Sequence, residues 1–548
     1  MINLFQEALV DGLHRNTLSI PSIWAEHCRI MGEPFPGPYS FKYHPWTKEM
    51  LNTDHEQCVG QKAAQMGYTE VMLNRALFTI DQLRRDVLYV LPNLNPDAGD
   101  FSQSRFDPAL ELSGHLSSMF SDVDKVGLKR SGDVCLFIRG SRSRAQLKSI
   151  PVALIILDEA DEMDQESIVL VDERRSGQTE SQSWMISTPH IPNYGINYHY
   201  ENSTKEIFVF KCPHCSKFIS LDFPDCLEII GDDPTDSKVL ESYLKCPECK
   251  LKLDHEEKID LFKEGTWQSQ YPDRMVRGFH INQLYSNTVS PGKIAIMYLK
   301  SLSNPTYEQE FFNSKLGLPH IVSGARITQE HIDSCIGEYK NMCAKTSGLP
   351  ITMGIDVGRN LHWRVSEWHL NKKGADINDA MMPKVIGFGK IYKSEDAGFS
   401  EIDEIIKIFK PNRMVIDALP ETRSSQVFCN RFKGKATACY YNHNIKAKSL
   451  SYNEEEHTVT VNRTAWLDQS LSRFRNEDIR LPLDIDKEFK DHQQALVRVY
   501  KQDNFGQDQS QYLGNAADHY AHAGLYEEVA LKLLISEIGV PGTIESPL

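Results

Sequence analysis

From about residue 57 the chain alternates short apolar runs of strand length with longer stretches of helical spacing. The runs are VLYVLP (87–92), VCLFI (134–138), VALIIL (152–157) and SWMIS (183–187). The first three are apolar and rich in β-branched residues, as buried strands are; the fourth is weaker. Strands alternating with helices predict a parallel sheet with helices on its faces. Residues 205–260 break this rhythm with β-like segments such as IFVF (207–210) and read as a small insert. Helical spacing returns around 294–302 and 307–312, and 326–350 reads as a partly helical linker. A second strand-rich region begins at ITMGIDVG (351–358), continues through VIGFGKIY (385–392) and MVIDAL (414–419), and ends in a helix near 515–535. The expected organisation is a leader over 1–40 closed by the breaker-rich EPFPGPY, a first domain over 41–325 holding the insert, the linker, a second domain over 351–530, and a loose tail over 531–548.

Composition narrows the class. A chain of 548 residues allows two to four domains at roughly 100–200 residues each. With 41% hydrophobic and 25% charged residues it is no disordered chain. The net charge of −15 argues against a protein that passively coats a polyanion, without excluding a basic channel on an acidic body. Such local positive charge lies between 125 and 148, where Lys125, Lys129, Arg130, Arg139, Arg142, Arg144 and Lys148 face only Asp133. A solvated face is the usual reading of such a run; a phosphate-backbone contact or an arginine finger is the sharper one. No apolar run approaches the roughly 18 residues of a membrane helix. The start lacks a basic segment followed by an apolar one, so no secretory signal is expected. The twelve cysteines make no disulfide scaffold, and the expectation is an intracellular multidomain protein.

Four motifs carry chemistry. In LIILDEADEM (154–163) an apolar strand ends in Asp158-Glu159, the form of a Walker B element. There the Asp holds a Mg²⁺ shell and the Glu polarises water. No GxxxxGK[ST] precedes it. The best phosphate cradle is QKAAQMGYTE (61–70), where Lys62 opens the loop, Gly67 permits a close turn and Thr69 offers a hydroxyl ahead of a helix start. Ser187 and Thr188 in STPH (187–190) stand at a strand end, where they could sense the γ-phosphate. Cys212, Cys215, Cys246 and Cys249 form CxxC…CxxC; two tight turns bring four thiolates to one tetrahedral Zn²⁺, a closed structural site. The flanking Lys211, Lys245 and Lys250 favour thiolates. In the second domain Asp356 and Asp417 sit at strand ends, and Asp518 and His522 lie four apart on one helical face. Strand-end acids often cap turns, but three in this order also suit a two-metal phosphodiester centre.

The ordered set resembles the large terminase subunit of tailed bacteriophages, in its lambda-like branch, over roughly residues 40–530. The resemblance implies an α/β chain: a P-loop-type ATPase with a parallel sheet, a zinc-ribbon insert and a C-terminal RNase H-like nuclease domain. It implies a motor that hydrolyses ATP to drive double-stranded DNA into a procapsid and cuts the concatemer. Cofactors would be ATP, Mg²⁺ or Mn²⁺, and Zn²⁺. Partners would be double-stranded DNA, the small terminase subunit, the portal protein and further copies of the chain, in the host cytoplasm and transiently on the procapsid. The family's phosphate-loop residues fall on Lys62, Gly67 and Thr69, its acid pair on Asp158 and Glu159, and its coupling motif on Ser187, Thr188 and Pro189. Its nuclease acids fall on Asp356, Asp417 and Asp518, with His522 an alternative or additional third ligand. Trp46, in YHPWTKEM, resembles the region that contacts adenine. Glu70 stands where the lambda-like pattern can carry a second Lys. Two other readings are a helicase–nuclease of DNA repair and a zinc-containing adaptor with dead sites.

Overall fold

The computed structural model describes residues 18–93, 97–120, 123–142, 152–165, 167–168, 181–343, 348–371, 380–392, 398–442, 449–502, 508–514 and 516–537. Arg144 and Lys148 of the basic stretch, the first 17 residues of the leader and most of the tail lie outside them. The chain divides into two compact units, Met1–Val322 and Ser323–Leu548.

In the first unit, the strands Glu206–Lys211, Arg277–Ile281, Gln57–Lys62, Gln182–Ser187, Leu154–Asp158, Val87–Leu91 and Val134–Gly140 lie side by side in that order, each parallel to the next. Antiparallel strands extend both edges. All four apolar runs singled out in the sequence are strands of this sheet. Val87–Leu91 and Leu154–Asp158 are buried at every position, as strands covered on both faces must be. The helix Tyr68–Asp81 is buried on nearly every turn, because it lies against the sheet and under the leader helix Pro21–Cys28. Three members lie outside those four runs: Gln57–Lys62, whose apolar part is only Cys58-Val59-Gly60, and two more. Glu206–Lys211 belongs to this sheet although it opens the supposed insert, and Arg277–Ile281 lies beside Gln57–Lys62 in a region where no strand was expected. The rest of the insert holds a small antiparallel sheet of Leu227–Glu228, Tyr243–Lys245 and Lys252–Leu253.

The second unit is built on a seven-stranded sheet in the order Met381–Tyr392, Asn360–Leu370, Ile351–Val357, Arg413–Asp417, Ala436–Tyr441, Thr458–Val461, Leu450–Asn453. The first three are antiparallel, the next pairings parallel, and the last strand is antiparallel again. The helix His519–Glu537 packs across Ile351–Val357 and Arg413–Asp417. The approach is so close that a Cβ on Gly354 would stand 1.9 Å from the Ala523 carbonyl oxygen. Buried Arg364 and Ser366 donate hydrogen bonds to Glu527 and fix the helix on the sheet. The stretch read as a linker is packed here in part: Ile327, Ile332 and Cys335 are buried in this unit's core. The fold class is mixed α/β, as the sequence leads one to expect. Among the described residues no helix is long and apolar enough to cross a membrane.

Candidate functional site

Lys62 ends the strand Gln57–Lys62, and the loop that follows enters the helix Tyr68–Asp81 through Gly67, whose φ of 82° is a left-handed conformation natural to glycine. Ala63 and Ala64 donate their N–H groups to the carbonyls of Ile281 and Ser314. Among the described residues no acceptor takes the N–H groups of Gln65 through Thr69, so the helix start presents a row of free donors suited to an anion. Lys62 is buried, and its Nζ lies 2.8 Å from Glu159 Oε1. Burial works against its charge, but Glu159 and Asp158 outweigh that and hold the ammonium above its ordinary range.

Asp158 ends the strand Leu154–Asp158 and is buried. The Tyr89 hydroxyl donates to its Oδ2 at 2.6 Å, while Oδ1 is buried with no hydrogen-bond partner. Burial and the neighbouring Glu159 push its carboxyl up to about 6, against the pull of Lys62, Tyr89 and the nearby Thr69 hydroxyl. An orphaned carboxylate oxygen beside a threonine hydroxyl and a row of free N–H groups fits a hydrated Mg²⁺ on a phosphate chain. Glu159 takes a left-handed conformation, φ 61°, unfavourable for a residue with a Cβ and characteristic of functional turns. The Ser187 hydroxyl, one strand away, lies 3.5 Å from Glu159 Oε2 and accepts from the Asp161 N–H. Thr188 follows, half-buried.

Three groups here were not singled out in the sequence: Tyr89, Asp161 and His190. Asp161 is buried and accepts from the backbone N–H groups of His190 and Ile196, at 2.9 and 2.6 Å. The His190 ring lies 3.4 Å from Asp161 and 3.3 Å from Glu162. Burial opposes its charge, but the two carboxylates prevail and raise the imidazole to about 9. Asp161 was in plain view within DEADEM; nothing local marked His190 as its partner.

Two expectations change. Trp46 is fully buried, its indole N–H bonded to the Met66 carbonyl and its ring among Phe208, Phe262 and Tyr285, so it supports the loop from the core and is not open to a base. In the basic stretch, Lys129 is buried on Asp107 and Arg139 bonds the Gly127 carbonyl, while Lys125, Arg130 and Arg142 are exposed; a uniform cationic face is absent among the described residues. Glu70 meets Arg29 at 3.0 Å and Arg105 at 3.6 Å, which brings two guanidinium groups to the first turn where the second Lys is missing.

The four cysteines converge. The sulfurs of Cys212, Cys215, Cys246 and Cys249 all lie within 4.8 Å of one another. Each pair sits on the same tight turn: Ser216 N–H bonds Cys212 O and Lys250 N–H bonds Cys246 O, with Ser216 and Lys250 both left-handed. Four sulfurs at this spacing, free of disulfides, suit a tetrahedral ion. His214 bonds the Lys252 carbonyl and Cys226 the Ser220 carbonyl, and neither joins the set.

In the second unit Ile355 pairs with Ile416, so the acids that follow, Asp356 and Asp417, leave adjacent parallel strands side by side. Burial, and then the Asp356 charge, push Asp417 up to about 6, although its Oδ1 accepts from the Leu419 N–H. Asp518 immediately precedes the helix His519–Glu537. Burial works against its charge, but His522 and Arg463 prevail and hold it down to about 2. His522 Nε2 lies 3.3 Å from Asp518, and its Nδ1 lies 2.8 Å from the Tyr441 hydroxyl. The structure thus brings Asp356 and Asp417 together and pairs Asp518 with His522. The compact donor cluster around Asp356 is made instead with His362 and His519, which the sequence reading did not single out.

A parallel sheet whose helix start offers free N–H groups beside a strand-end acid pair, joined in one chain to a second sheet with paired strand-end acids, has the parts expected of a nucleotide hydrolase with a second hydrolytic centre. Residues 33–267 match the family model "Phage terminase large subunit gpA, ATPase domain", and residues 276–378 match "Terminase large subunit gpA, endonuclease domain". The chain belongs to the phage terminase large subunit family: it is an ATPase and endonuclease of the DNA-packaging motor. The endonuclease match includes Asp356 and ends before Asp417 and Asp518. Among solved structures, the large terminase of bacteriophage HK97 resembles the chain at 11% identity and TM-score 0.49, covering 93% of this chain and 99% of that one. The ATPase domain of the Thermus phage P74-26 large terminase does so at 13% and 0.31, covering 52% and 94%. The large terminase nuclease of thermophilic phage G20c does so at 11% and 0.24, covering 36% and 95%. No curated protein matches.

Proposed function

We propose that ATP is held at the loop between Lys62 and Thr69, with Gly67 permitting the close turn and the free N–H groups of the helix start around the β- and γ-phosphates. Bound Mg²⁺ would neutralise the charge on the transferred phosphoryl group. Asp158, through its unpartnered Oδ1, and Thr69 would hold that ion's shell. Lys62, now on Glu159, would exchange that partner for phosphate, releasing Glu159 to orient water. Ser187 and Thr188 would register the loss of the γ-phosphate, since Ser187 already reaches Glu159 and, through Asp161, the His190 loop. The observation that carries this reading is the buried, unpartnered Asp158 oxygen beside the Lys62–Glu159 pair.

In the second unit Asp356, Asp417 and Asp518, with His522 bracing Asp518, would hold two divalent cations, Mg²⁺ or Mn²⁺. Such ions supply Lewis acidity to water and to the leaving oxygen. Cys212, Cys215, Cys246 and Cys249 would hold a structural Zn²⁺ within an ATPase domain over 41–325, and 351–530 would form the nuclease domain. The motor would act on double-stranded DNA with the small subunit, the portal and further copies of itself, in the host cytoplasm and transiently on the procapsid. Glu159→Gln should abolish ATP hydrolysis and packaging yet leave DNA cutting intact. Full ATP turnover in that variant would sink the assignment.

A further inference from the structure

The second unit holds a histidine cluster that the proposed chemistry leaves unused. His362 stands directly opposite Asp356 across the antiparallel ladder. His519, at the start of the long helix, places Nδ1 2.8 Å from Asp356 Oδ2. One donor atom from each of Asp356, His362 and His519 lies within 4.8 Å of the other two. The His362 and His519 rings stack, with centroids 4.4 Å apart and planes 12° from parallel. A third ring, His492 from the helix Lys487–Gln494, lies 5.3 Å from each.

His362 is 3% exposed, and neither of its ring nitrogens has a hydrogen-bond partner among the described residues. Glu488 Oε1, 3.6 Å from its Nε2, is beyond hydrogen-bond length and is itself held by Lys390. A buried imidazole with both nitrogens idle loses its hydration for no return from the protein. Imidazole is a poor donor to Mg²⁺, which keeps its waters and prefers oxygen, but a good one to first-row transition cations.

We infer that Asp356, His362 and His519 form a mixed carboxylate–imidazole seat within the nuclease centre that takes Mn²⁺ in preference to Mg²⁺. The inference rests on the reading of Asp356 as a cation ligand. A metal lies in the plane of each imidazole it binds, so two nearly parallel rings cannot share one ion as they stand. His519, whose side chain is 33% exposed, has room to turn; His362, within the sheet, does not. Occupation would therefore unstack the pair and replace the His519–Asp356 hydrogen bond.

The test is Mn²⁺ bound to the full-length chain without nucleotide and examined by pulsed electron paramagnetic resonance. Protein made with ordinary histidine is compared with protein made with ¹⁵N-histidine. The expected result is a nitrogen coupling on Mn²⁺ that changes with the isotope; it disappears when both rings are removed (His362→Gln combined with His519→Gln) and weakens in His362→Gln alone. Mn²⁺ affinity should fall at least about tenfold in that variant, the scale on which even the outer partners of metal ligands act. Mg²⁺ affinity should move far less. His519→Gln provides the same readout if His362→Gln does not fold. Wild-type protein that binds Mn²⁺ and cuts DNA with no isotope-sensitive coupling overturns the seat but leaves the acid centre standing. Binding and cutting that survive Asp356→Asn overturn both.

Discussion

Asp158 and Glu159 are neighbours in sequence but face different surroundings. Asp158 is sealed against Tyr89, whereas the Glu159 side chain is 40% exposed and held by Lys62. Lys62→Ala should therefore leave the fold intact but cut ATP hydrolysis by about 10²-fold or more, the usual cost of losing a preorganised charge, as measured by phosphate release. His190 allows a test by pH. Its imidazole titrates near 6.5 when exposed and about 9 in the fold, so its ion pairs stabilise fully below pH 6.5 and are lost as pH rises through 9. His190→Gln should lower the Tm at pH 6 and change it little well above pH 9; equal losses at both would exclude the ion pairs as the cause. Asp417 works in the opposite sense. With its carboxyl pushed up to about 6, cutting should fall as pH drops through 6, and higher Mg²⁺ should move that limb downward because cation and proton compete. Asp158, Asp356 and Asp417 were legible because each stands at the end of an apolar run. His190 and Tyr89 were not, because a buried polar group declares itself only through a distant partner.

Elements show the same division. Four strands of the first sheet were readable as apolar runs, but Arg277–Ile281 was not: RGFHI is short, with Arg277 and His280 only half-buried. Its place in the sheet comes from pairing with Gln57–Lys62, a non-local fact. Gly354 is more telling. The sequence places it in an apolar strand beside Asp356 without a role; the structure shows that its lack of a side chain lets the Ala523 backbone approach. Gly354→Ala should cost at least ~1–3 kcal/mol, as overpacking does. A calorimetric loss in the second unit, with cutting abolished and ATP turnover retained, is the expected outcome; an unchanged Tm would show that the helix can shift.

For the whole molecule, the two chemistries fall on separate compact units, so they should be separable by single substitutions. Asp356→Ala should abolish cutting while keeping ATP turnover within about twofold, surface-level effects aside. Zinc should be present at about one ion per chain, and stripping it, or Cys246→Ser, should lower the Tm of the first unit, because metal binding there is folding free energy. Metal analysis and calorimetry together check this. The sequence alone determined what depends on neighbours along the chain: strand and helix periods, acids at strand exits, the CxxC turns, and an acidic total of −15 that allows DNA as a substrate but not a passive coat. Only the tertiary structure decided which of these meet. Tyr89 reaches Asp158 across 69 residues, and His519 reaches Asp356 across 163. Periodicity is written locally, but strand order follows from crossovers and from burying both faces of a sheet, and the partners at each site follow from that order.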